Sequence, residues 1–300
     1  MPVVIVGSMA FDTIETPREK RERVIGGACV YASIAASVFT GPRIVGVVGE
    51  DFTDVHFRIL KDRGIDTRGV KREKGKSFFW AGKYHENMCD RDTIVTELNV
   101  FEKFDPELPD DYKETPFLFL ANIDPPLQLK VLNMMKKPIF SLCDTMNLWI
   151  NIKKKELLEV FSRVDCVVLN DAEAAQLTGK AGSVEAAKEL QKIGPKYVII
   201  KKGENGAAIF GPQGKVFVGP AYPVACITDP TGAGDSFAGA FIGYLASKKS
   251  VSWKDLKRAL VYGNAAASFT VEGFSTEAVA SASRKDIEER LKQIKEMSAF

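Results

Sequence analysis

Residues 229–241 of this 300-residue chain read DPTGAGDSFAGAF and combine two carboxylates with a glycine-rich turn. Gly232 and Gly234 allow the backbone to approach a ligand closely. The first amides of a helix have no partner within it and carry partial positive charge. The loop is therefore suited to a negative charge that develops during a reaction.

Asp235 follows this turn at the start of a predicted helix. A carboxylate at that place can cap the helix, which stabilises it by about 1 kcal/mol. It can instead accept a proton from an attacking hydroxyl group. A helix N-terminus weakens a carboxylate as a base, but the loose transition state of phosphoryl transfer requires an oriented nucleophile and a late proton acceptor more than a strong base. The composition of the turn leaves capping and catalysis both open.

The predicted helix carries a stripe of small residues below Asp235. Gly239, Gly243 and Ser247 follow Asp235 at intervals of four and share its face of the helix. This pattern predicts that another element packs very close to the helix and fixes the position of its first turn.

Apolar, strand-like runs alternate with helical patterns along most of the chain, which predicts a mostly parallel sheet covered on both faces. The predicted strands span residues 3–7, 44–48, 117–121, 139–143, 164–169 and 197–200, with a hairpin at 207–210 and 215–218. The predicted helices span residues 28–39, 52–63, 127–135, 156–161 and 184–193, and nearly all of the chain after residue 235.

Two segments, residues 13–24 and 75–100, interrupt this alternation. The first is short and charged, and the second alternates polar residues with the aromatic residues Phe78, Phe79, Trp80 and Tyr84. Both are predicted to form β-ribbons outside the main sheet. We expect one domain over residues 1–300 with these segments inserted as a small β lid, which would exclude water from a reaction. Decorative hairpins are the alternative.

Composition argues against several classes of protein. Lys plus Arg total 41 and Asp plus Glu total 39, so the net charge of +2 does not favour a nucleic acid partner. Two histidines, His56 and His85, argue against a histidine-based zinc site or a Ser-His-Asp triad. The chain lacks G-x-G-x-x-G after its first strand and G-x-x-x-x-G-K-[ST] anywhere, which argues against a nicotinamide-dependent oxidoreductase and a Walker-type ATPase.

The five cysteines contain no C-x-x-C pair and are predicted to be reduced, buried thiols of a cytoplasmic protein. The first residues, MPVVIVGS, lack the features of a signal peptide. No apolar run is long enough to span a bilayer, so no membrane association is expected.

DPTGAGDSFAGAF resembles the C-terminal signature of the PfkB/ribokinase family of small-molecule kinases, roughly D-T-x-G-A-G-D-x-F-x-x-G. Four other segments agree in the family's order, and together they cover essentially the whole chain: residues 7–12, the pair Gly26-Gly27, the N-x-x-E motif at 170–173 and the G-x-x-G stretch at 203–206. The resemblance implies a ribokinase-like three-layer α/β/α sandwich with a mostly parallel sheet and a small β lid.

The resemblance also implies roles for individual residues. Asp235 would be the catalytic base, and Gly232, Ala233 and Gly234 would form the anion hole. The substrate would be held by Asp12, Gly26, Gly27 and Asn99. The nucleotide would be bordered by Asn170, Lys202, Gly203, Gly206 and Asn264, with Glu173 organising Mg²⁺ through water, and Asp229 and Thr231 would bind a monovalent cation such as K⁺. Asn170 and Glu173 can instead be a helix cap and a first-turn acid, and Asn264 an ordinary buried polar residue.

Two departures from the family pattern fall near the substrate. Tyr31 stands where the family usually has Asn, and residues 144–149, DTMNLW, lack the Arg of the D-x-N-x-R pattern. They weaken any assignment to one sugar. The expected function is an ATP-dependent kinase acting on the hydroxymethyl group of a sugar; a nucleoside kinase and a non-catalytic sugar or nucleotide sensor are the alternatives. The resemblance is compatible with a homodimer formed through the lid.

Overall fold

The computed structural model describes residues 1–299. Its strands are β1 Val3–Val6, β2 Ala10–Glu15, β3 Lys20–Gly26, β4 Pro42–Val48, β5 Asp66–Arg72, β6 Phe78–Tyr84, β7 Arg91–Glu97, β8 Phe117–Leu120, β9 Phe140–Asp144, β10 Cys166–Asn170, β11 Tyr197–Lys201, β12 Ala207–Phe210 and β13 Val216–Gly219. Its helices are α1 Ala28–Ser37, α2 Asp54–Lys61, α3 Asp110–Lys113, α4 Pro125–Met134, α5 Asn147–Ile152, α6 Lys154–Phe161, α7 Asp171–Thr178, α8 Ser183–Ile193, α9 Ala233–Lys248, α10 Trp253–Thr270, α11 Glu277–Ser281 and α12 Arg284–Met297.

Nine strands form the main sheet, in the order β13-β12-β11-β10-β9-β8-β1-β4-β5. From β11 to β5 the strands pair with one another in parallel, whereas β12 is antiparallel to both of its neighbours, β11 and β13. Helices pack on both faces, so the central strands β1 and β8 are apolar and buried throughout, and β9 is fully buried. The predicted mostly parallel α/β sheet is confirmed.

Two hydrophobic cores lie on opposite faces of the main sheet. One includes buried residues of α1, α9, α10 and α12. The other includes buried residues of α3 to α8. The three-layer arrangement follows because each face of an all-apolar sheet must be covered by helices.

A separate small sheet has the strand order β3-β2-β6-β7. Strands β2 and β6 are parallel, and the outer pairs are antiparallel. It contains the two segments that the sequence set apart as a lid, and we call this sheet the lid. Strand β2 begins at Ala10, before the predicted segment, so Asp12 lies on a lid strand.

Strand β5 had no counterpart among the predicted elements. Its sequence, DTRGVKR, is polar and charged, because β5 is the edge strand of the main sheet. Edge strands tolerate such side chains, so hydrophobic periodicity gives little signal there.

Helix α9 packs directly against α1. A Cβ atom at Gly239 would lie 2.1 Å from the backbone oxygen of Ala32, and one at Gly243 would lie 2.9 Å from the Cα of Ala36. The small-residue stripe therefore does what its spacing predicts: it lets two helices approach closely, and it fixes the first turn of α9.

All five cysteines are free thiols. Cys29, Cys143 and Cys166 are buried, but Cys89 and Cys226 are exposed. The prediction of uniformly buried thiols was wrong for these two, because they lie in the hairpin between β6 and β7 and in the loop before α9 rather than in strands. Across residues 1–299, no helix combines the length and the apolar character that a membrane crossing requires.

Candidate active site

The ends of three neighbouring strands bring polar side chains to one edge of the main sheet. Asp144 ends β9, Asn170 ends β10 and Lys201 ends β11. Because the strands are parallel and adjacent, their carboxyl ends meet at the same edge. Helix α9 begins beside them at Gly232, so the glycine-rich turn and these side chains share one site.

The turn before α9 presents free backbone amides. Gly232 is the N-cap, with φ of 76°, and a Cβ there would lie 2.3 Å from the ring of Tyr31. Within residues 1–299 the amides of Gly232, Gly234 and Asp235 donate to no backbone or side-chain acceptor, whereas the amide of Ala233 donates to Pro230 O at 3.3 Å. The anion hole predicted at residues 232–234 thus has two open amides, and Asp235 contributes a third.

Asp235 does not cap its helix. It is the third residue of α9, the position held by Glu173 in α7, Asp255 in α10 and Asp286 in α12. Those three carboxylates accept hydrogen bonds from their N-cap residues. Gly232, as the N-cap of α9, has no side chain to pair with, and no donor within residues 1–299 reaches the Asp235 carboxylate. Of the two readings left open by the sequence, the structure does not support capping.

The electrostatic surroundings of Asp235 raise its pKa to about 7. Desolvation is the largest cause, and the negative charges of Asp144 and Glu173 act in the same direction. The positive charges of Lys201 and Arg91 oppose them. A carboxyl group with this pKa exchanges a proton readily near neutral pH, which suits a general base.

Lys201 was missed at the sequence level. Its ammonium lies 3.4 Å from Oδ2 of Asp144, and both side chains are largely buried. A Cβ at Gly234 would lie 2.8 Å from Lys201 Nζ, so this cation sits against the first turn of α9. The sequence did carry one signal for it, because Lys201 directly follows the apolar residues of β11. The family pattern pointed to its neighbour Lys202 instead.

Asn170 and Glu173 form a reciprocal cap at the start of α7. The Asn170 side chain accepts the Glu173 amide at 2.7 Å, and Oε2 of Glu173 accepts the Asn170 amide at 2.8 Å. This is the capping alternative, and it leaves Oε1 of Glu173 without a protein donor within residues 1–299. No group of three or more acidic, histidine or cysteine side chains capable of holding a metal exists in that range. Such a site fits Mg²⁺ carried by phosphates and water, with one carboxylate nearby, rather than an all-protein cage.

Asp12 is buried beside the two predicted glycines. A Cβ at Gly26 would lie 1.9 Å from Oδ2 of Asp12, and Gly27 has φ of 92° against the backbone of Ser8. The pKa of Asp12 is raised to about 8, first by desolvation and then by the charges of Asp229 and Asp235. Three of the four residues predicted to hold the substrate therefore lie together.

Tyr31 is fully buried, and its ring lies against Gly232. Its hydroxyl has no hydrogen-bond partner among the described residues. The pKa of Tyr31 is raised by burial and then by Asp12 and Asp229, which places the hydroxyl among the carboxylates of the site.

The loop before α9 contacts the lid. Asp229 is buried and accepts the amides of Thr231 at 2.8 Å and Ser275 at 3.0 Å. The Thr231 hydroxyl lies 2.9 Å from the hydroxyl of Tyr84 on β6. Asp229 and Thr231 are thus neighbours, as their predicted role in binding a monovalent cation requires; that role stays a prediction.

The predicted nucleotide residues group around the turn after β11. The backbone of Lys202 donates to Gly206 O at 2.8 Å, and Gly203 is exposed. Gly206 packs against Gly219 at the end of β13, and Asn264 donates to the carbonyl of Gly219 at 2.9 Å. Asn264 is therefore a buried polar residue with a backbone partner, as the alternative interpretation expects, and it lies close to the predicted nucleotide residue Gly206.

Asn99 lies at the base of the lid. Its amide donates to Ser77 O at 3.0 Å. It lines a cavity of about 450 Å³ whose lining residues include Lys74, Lys76 and Lys103, but not Asp12. The contact of Asn99 with a substrate stays a prediction.

Comparison with known proteins gives one family. The model of the pfkB family carbohydrate kinases matches residues 3–283. The chain is 33% identical over 253 residues to the cytidine kinase of Thermococcus kodakarensis, which covers 81% of this chain and 88% of that kinase.

Two solved structures share the fold over 97% of this chain. The ribokinase of Arabidopsis thaliana, complexed with ribose and ATP, has a TM-score of 0.78 at 22% identity and is covered over 98% of its length. An E. coli protein described as a Ribokinase II, in complex with ATP and Mg²⁺, has a TM-score of 0.77 at 19% identity and is covered over 99% of its length.

Proposed function

Because this chain belongs to the pfkB family of carbohydrate kinases and is a phosphotransferase with an alcohol acceptor, we propose that it transfers the γ-phosphoryl group of ATP to the hydroxymethyl group of a nucleoside. The observation that carries the reaction is the first turn of α9. There the Asp235 carboxylate and the amides of Gly232 and Gly234, none of which has a hydrogen-bond partner among residues 1–299, lie in the same turn.

The site residues divide the reaction between them. Asp12 and the backbone at Gly26 and Gly27 hold the hydroxyl groups of the acceptor. Asp235 orients the attacking hydroxyl and receives its proton as the new O–P bond forms and the bond from Pγ to the β-phosphate oxygen breaks, releasing ADP. The amides of Gly232 and Gly234 stabilise charge on the phosphoryl oxygens; one such donor typically supplies about 3–4 kcal/mol.

Mg²⁺ bound to the ATP phosphates would neutralise charge that develops on the leaving oxygen. Glu173 would hold its water ligands through Oε1, since Oε2 accepts the Asn170 amide. The turn of Gly203 and Gly206 would border the nucleotide, with Asn264 supporting it. A K⁺ requirement through Asp229 and Thr231 belongs to the same proposal.

Two observations favour a nucleoside over a free sugar. The cytidine kinase is 33% identical and matches most of both chains. In addition, Tyr31 replaces a hydrogen-bonding Asn with an aromatic ring whose hydroxyl has no partner among residues 1–299, and such a group supplies both apolar surface and one hydrogen bond. A sugar such as ribose is the second candidate, since the Arabidopsis relative is a ribokinase.

An ADP-release screen tests the proposal with purified protein, ATP and Mg²⁺, with and without K⁺. The acceptors are cytidine, uridine, adenosine, inosine, ribose and fructose. We expect kcat/KM for at least one nucleoside to exceed that for ribose and fructose by tenfold or more. The reverse order would assign a sugar kinase. If acceptors raise the Tm of the protein but none of them leads to release of ADP, the protein would instead be the non-catalytic sensor.

A further inference from the structure

Lys201 is a largely buried cation that lies between the start of α9 and a group of carboxylates. Its Nζ is 2.8 Å from the position of a Cβ at Gly234, the second residue of α9. The start of a helix carries partial positive charge. A largely buried ammonium beside it therefore adds like charge to like charge.

The negative charges of Asp144, Glu173 and Asp235 outweigh desolvation and keep the pKa of Lys201 above its ordinary value. Among these groups, Asp144 forms an ion pair with Lys201. The pair has a single contact, 3.4 Å between Lys201 Nζ and Asp144 Oδ2, and the other Asp144 oxygen accepts the Thr145 amide at 2.9 Å. An ammonium group has three donors. Within residues 1–299 the Lys201 ammonium makes no other hydrogen bond, so two of its donors are available to a ligand.

The Lys201 ammonium lies against the first turn of α9, where the amides of Gly232, Gly234 and Asp235 have no acceptor among residues 1–299. Glu173 and Asp235 are close enough for the charge of Lys201 to lower the pKa of each. A bound anion there would contact an ammonium and a helix start together, which is the usual environment of a phosphate.

We propose that Lys201 is a further catalytic residue whose ammonium contacts the γ-phosphate of bound ATP and neutralises charge on its oxygens during transfer. The inference rests on the proposed kinase function. Glycine is then required at position 234 for a second reason, besides the close approach of a ligand to its backbone amide. Any side chain there would displace the Lys201 ammonium from the helix start. The alternative is that Lys201 serves only to pair with Asp144.

The test compares a nucleotide that has a γ-phosphate with one that lacks it, so that no acceptor is needed. Isothermal titration calorimetry with Mg²⁺ measures Kd for the ATP analogue AMP-PNP and for ADP. In Lys201→Met we expect Kd for AMP-PNP to rise about tenfold to a hundredfold, the loss of one charge-assisted hydrogen bond. We expect Kd for ADP to change less than threefold.

Matched variants separate contact from folding. Lys71→Met removes another strand lysine that has a carboxylate partner, Glu107, and should leave both Kd values unchanged. Asp144→Asn should keep the preference for AMP-PNP. The double variant Lys201→Met with Asp144→Asn removes both members of the ion pair, so Asp144 is not left as a buried charge without its partner, and we expect it to fold and to lose the preference.

Equal losses for AMP-PNP and ADP in the Lys201 variants, or no loss for either, would overturn the γ-phosphate contact. If the unaltered protein binds neither nucleotide, the kinase function fails and the inference fails with it. If it binds both and releases ADP in the acceptor screen while Lys201→Met retains the AMP-PNP preference, only the inference fails.

Discussion

Asp235 and Asp255 occupy the same third position in their helices but have different surroundings. The Asp255 carboxylate accepts the hydroxyls of Ser250 and Ser252, each at 2.6 Å. Burial and neighbouring charges raise the pKa of Asp235 to about 7, and its carboxylate has no protein donor within residues 1–299. At the residue scale this contrast separates a helix cap from a base.

The contrast gives a first prediction. Asp235→Asn should lower kcat by about 10²–10⁴-fold, the usual contribution of a positioned base, while Kd for AMP-PNP stays within about threefold. Asp255→Asn, the matched control, should retain kcat. Turnover of Asp235→Asn within tenfold of the unaltered protein, on the acceptor selected by the screen, would remove Asp235 from the role of base.

Asp12 gives a prediction about pH. Its pKa in the folded protein is about 8, raised by desolvation, Asp229 and Asp235 against the opposing Gly27 amide and Arg91. The folded state therefore binds more protons than the unfolded state, and stability contributed by this group falls as pH rises from about 4 to 8. Asp12→Asn should raise the Tm of the unliganded protein at pH 8 by about 2–4 °C or more, and leave Tm at pH 5 nearly unchanged.

Differential scanning calorimetry at the two pH values measures this effect. Asp110→Asn, which alters an exposed ion pair with Lys113, is the control and should change Tm little at either pH. The opposite result would be that Asp12→Asn lowers Tm relative to the unaltered protein, and lowers it more at pH 8 than at pH 5. The buried carboxylate would then stabilise the fold.

At the scale of elements, the close contact of α1 with α9 fixes the first turn of α9, which we propose is catalytic. The glycines of α9 differ in how much space they have: a Cβ at Gly239 would lie 2.1 Å from backbone oxygen, but one at Gly243 would meet its nearest atoms at 2.9–3.2 Å. Both sites face backbone atoms of α1, which cannot move aside as a flexible side chain can, and the shorter distance at Gly239 makes substitution there the more costly.

Gly239→Ala should therefore destabilise the protein by about 1–3 kcal/mol or more and lower kcat in the protein that remains folded, because α1 and α9 must separate and the first turn of α9 shifts. Gly243→Ala, the matched control one turn further along, should cost less. Urea unfolding measures both free energies. Equal stabilities for the two variants would mean that this contact does not position the turn.

At the scale of the whole molecule, the lid contacts the loop that precedes α9. Tyr84 on β6 contacts Thr231 directly, and with Ile14 and Phe274 it forms a small separate hydrophobic cluster. This contact ties the position of the lid to the loop that we propose carries the anion hole. The division into one domain with an inserted lid, and a homodimer through that lid, stay predictions; Ile94 on β7 is an exposed apolar residue available for such a contact.

Tyr84→Phe removes the bond between the lid and Thr231 and keeps the apolar packing. We expect KM for the acceptor to rise about three- to tenfold, the effect of one net hydrogen bond, with a smaller change in kcat. Tyr112→Phe, which removes a tyrosine bond to Asp66 O at the other end of the main sheet, is the control. Steady-state kinetics showing the same KM for both variants would contradict a role for this contact in lid closure.

The sequence by itself determined the alternation of strands and helices, the glycine turn before α9 and the small-residue stripe of α9. These features are local, because hydrophobic periodicity and glycine spacing report how each segment is buried. Hydrophobic periodicity did not predict the polar strand β5, because an edge strand is not required to be apolar.

Only the tertiary structure decided which distant side chains meet. Lys201 lies against Gly234, the ring of Tyr31 lies against Gly232, and Tyr84 reaches Thr231 across 147 positions of sequence. Such contacts depend on strand order and on how the lid folds back, and neither leaves a periodic pattern in the sequence. The physical reason is that burial is encoded residue by residue, whereas the identity of a partner across the edge of a sheet is fixed only when the strands have assembled.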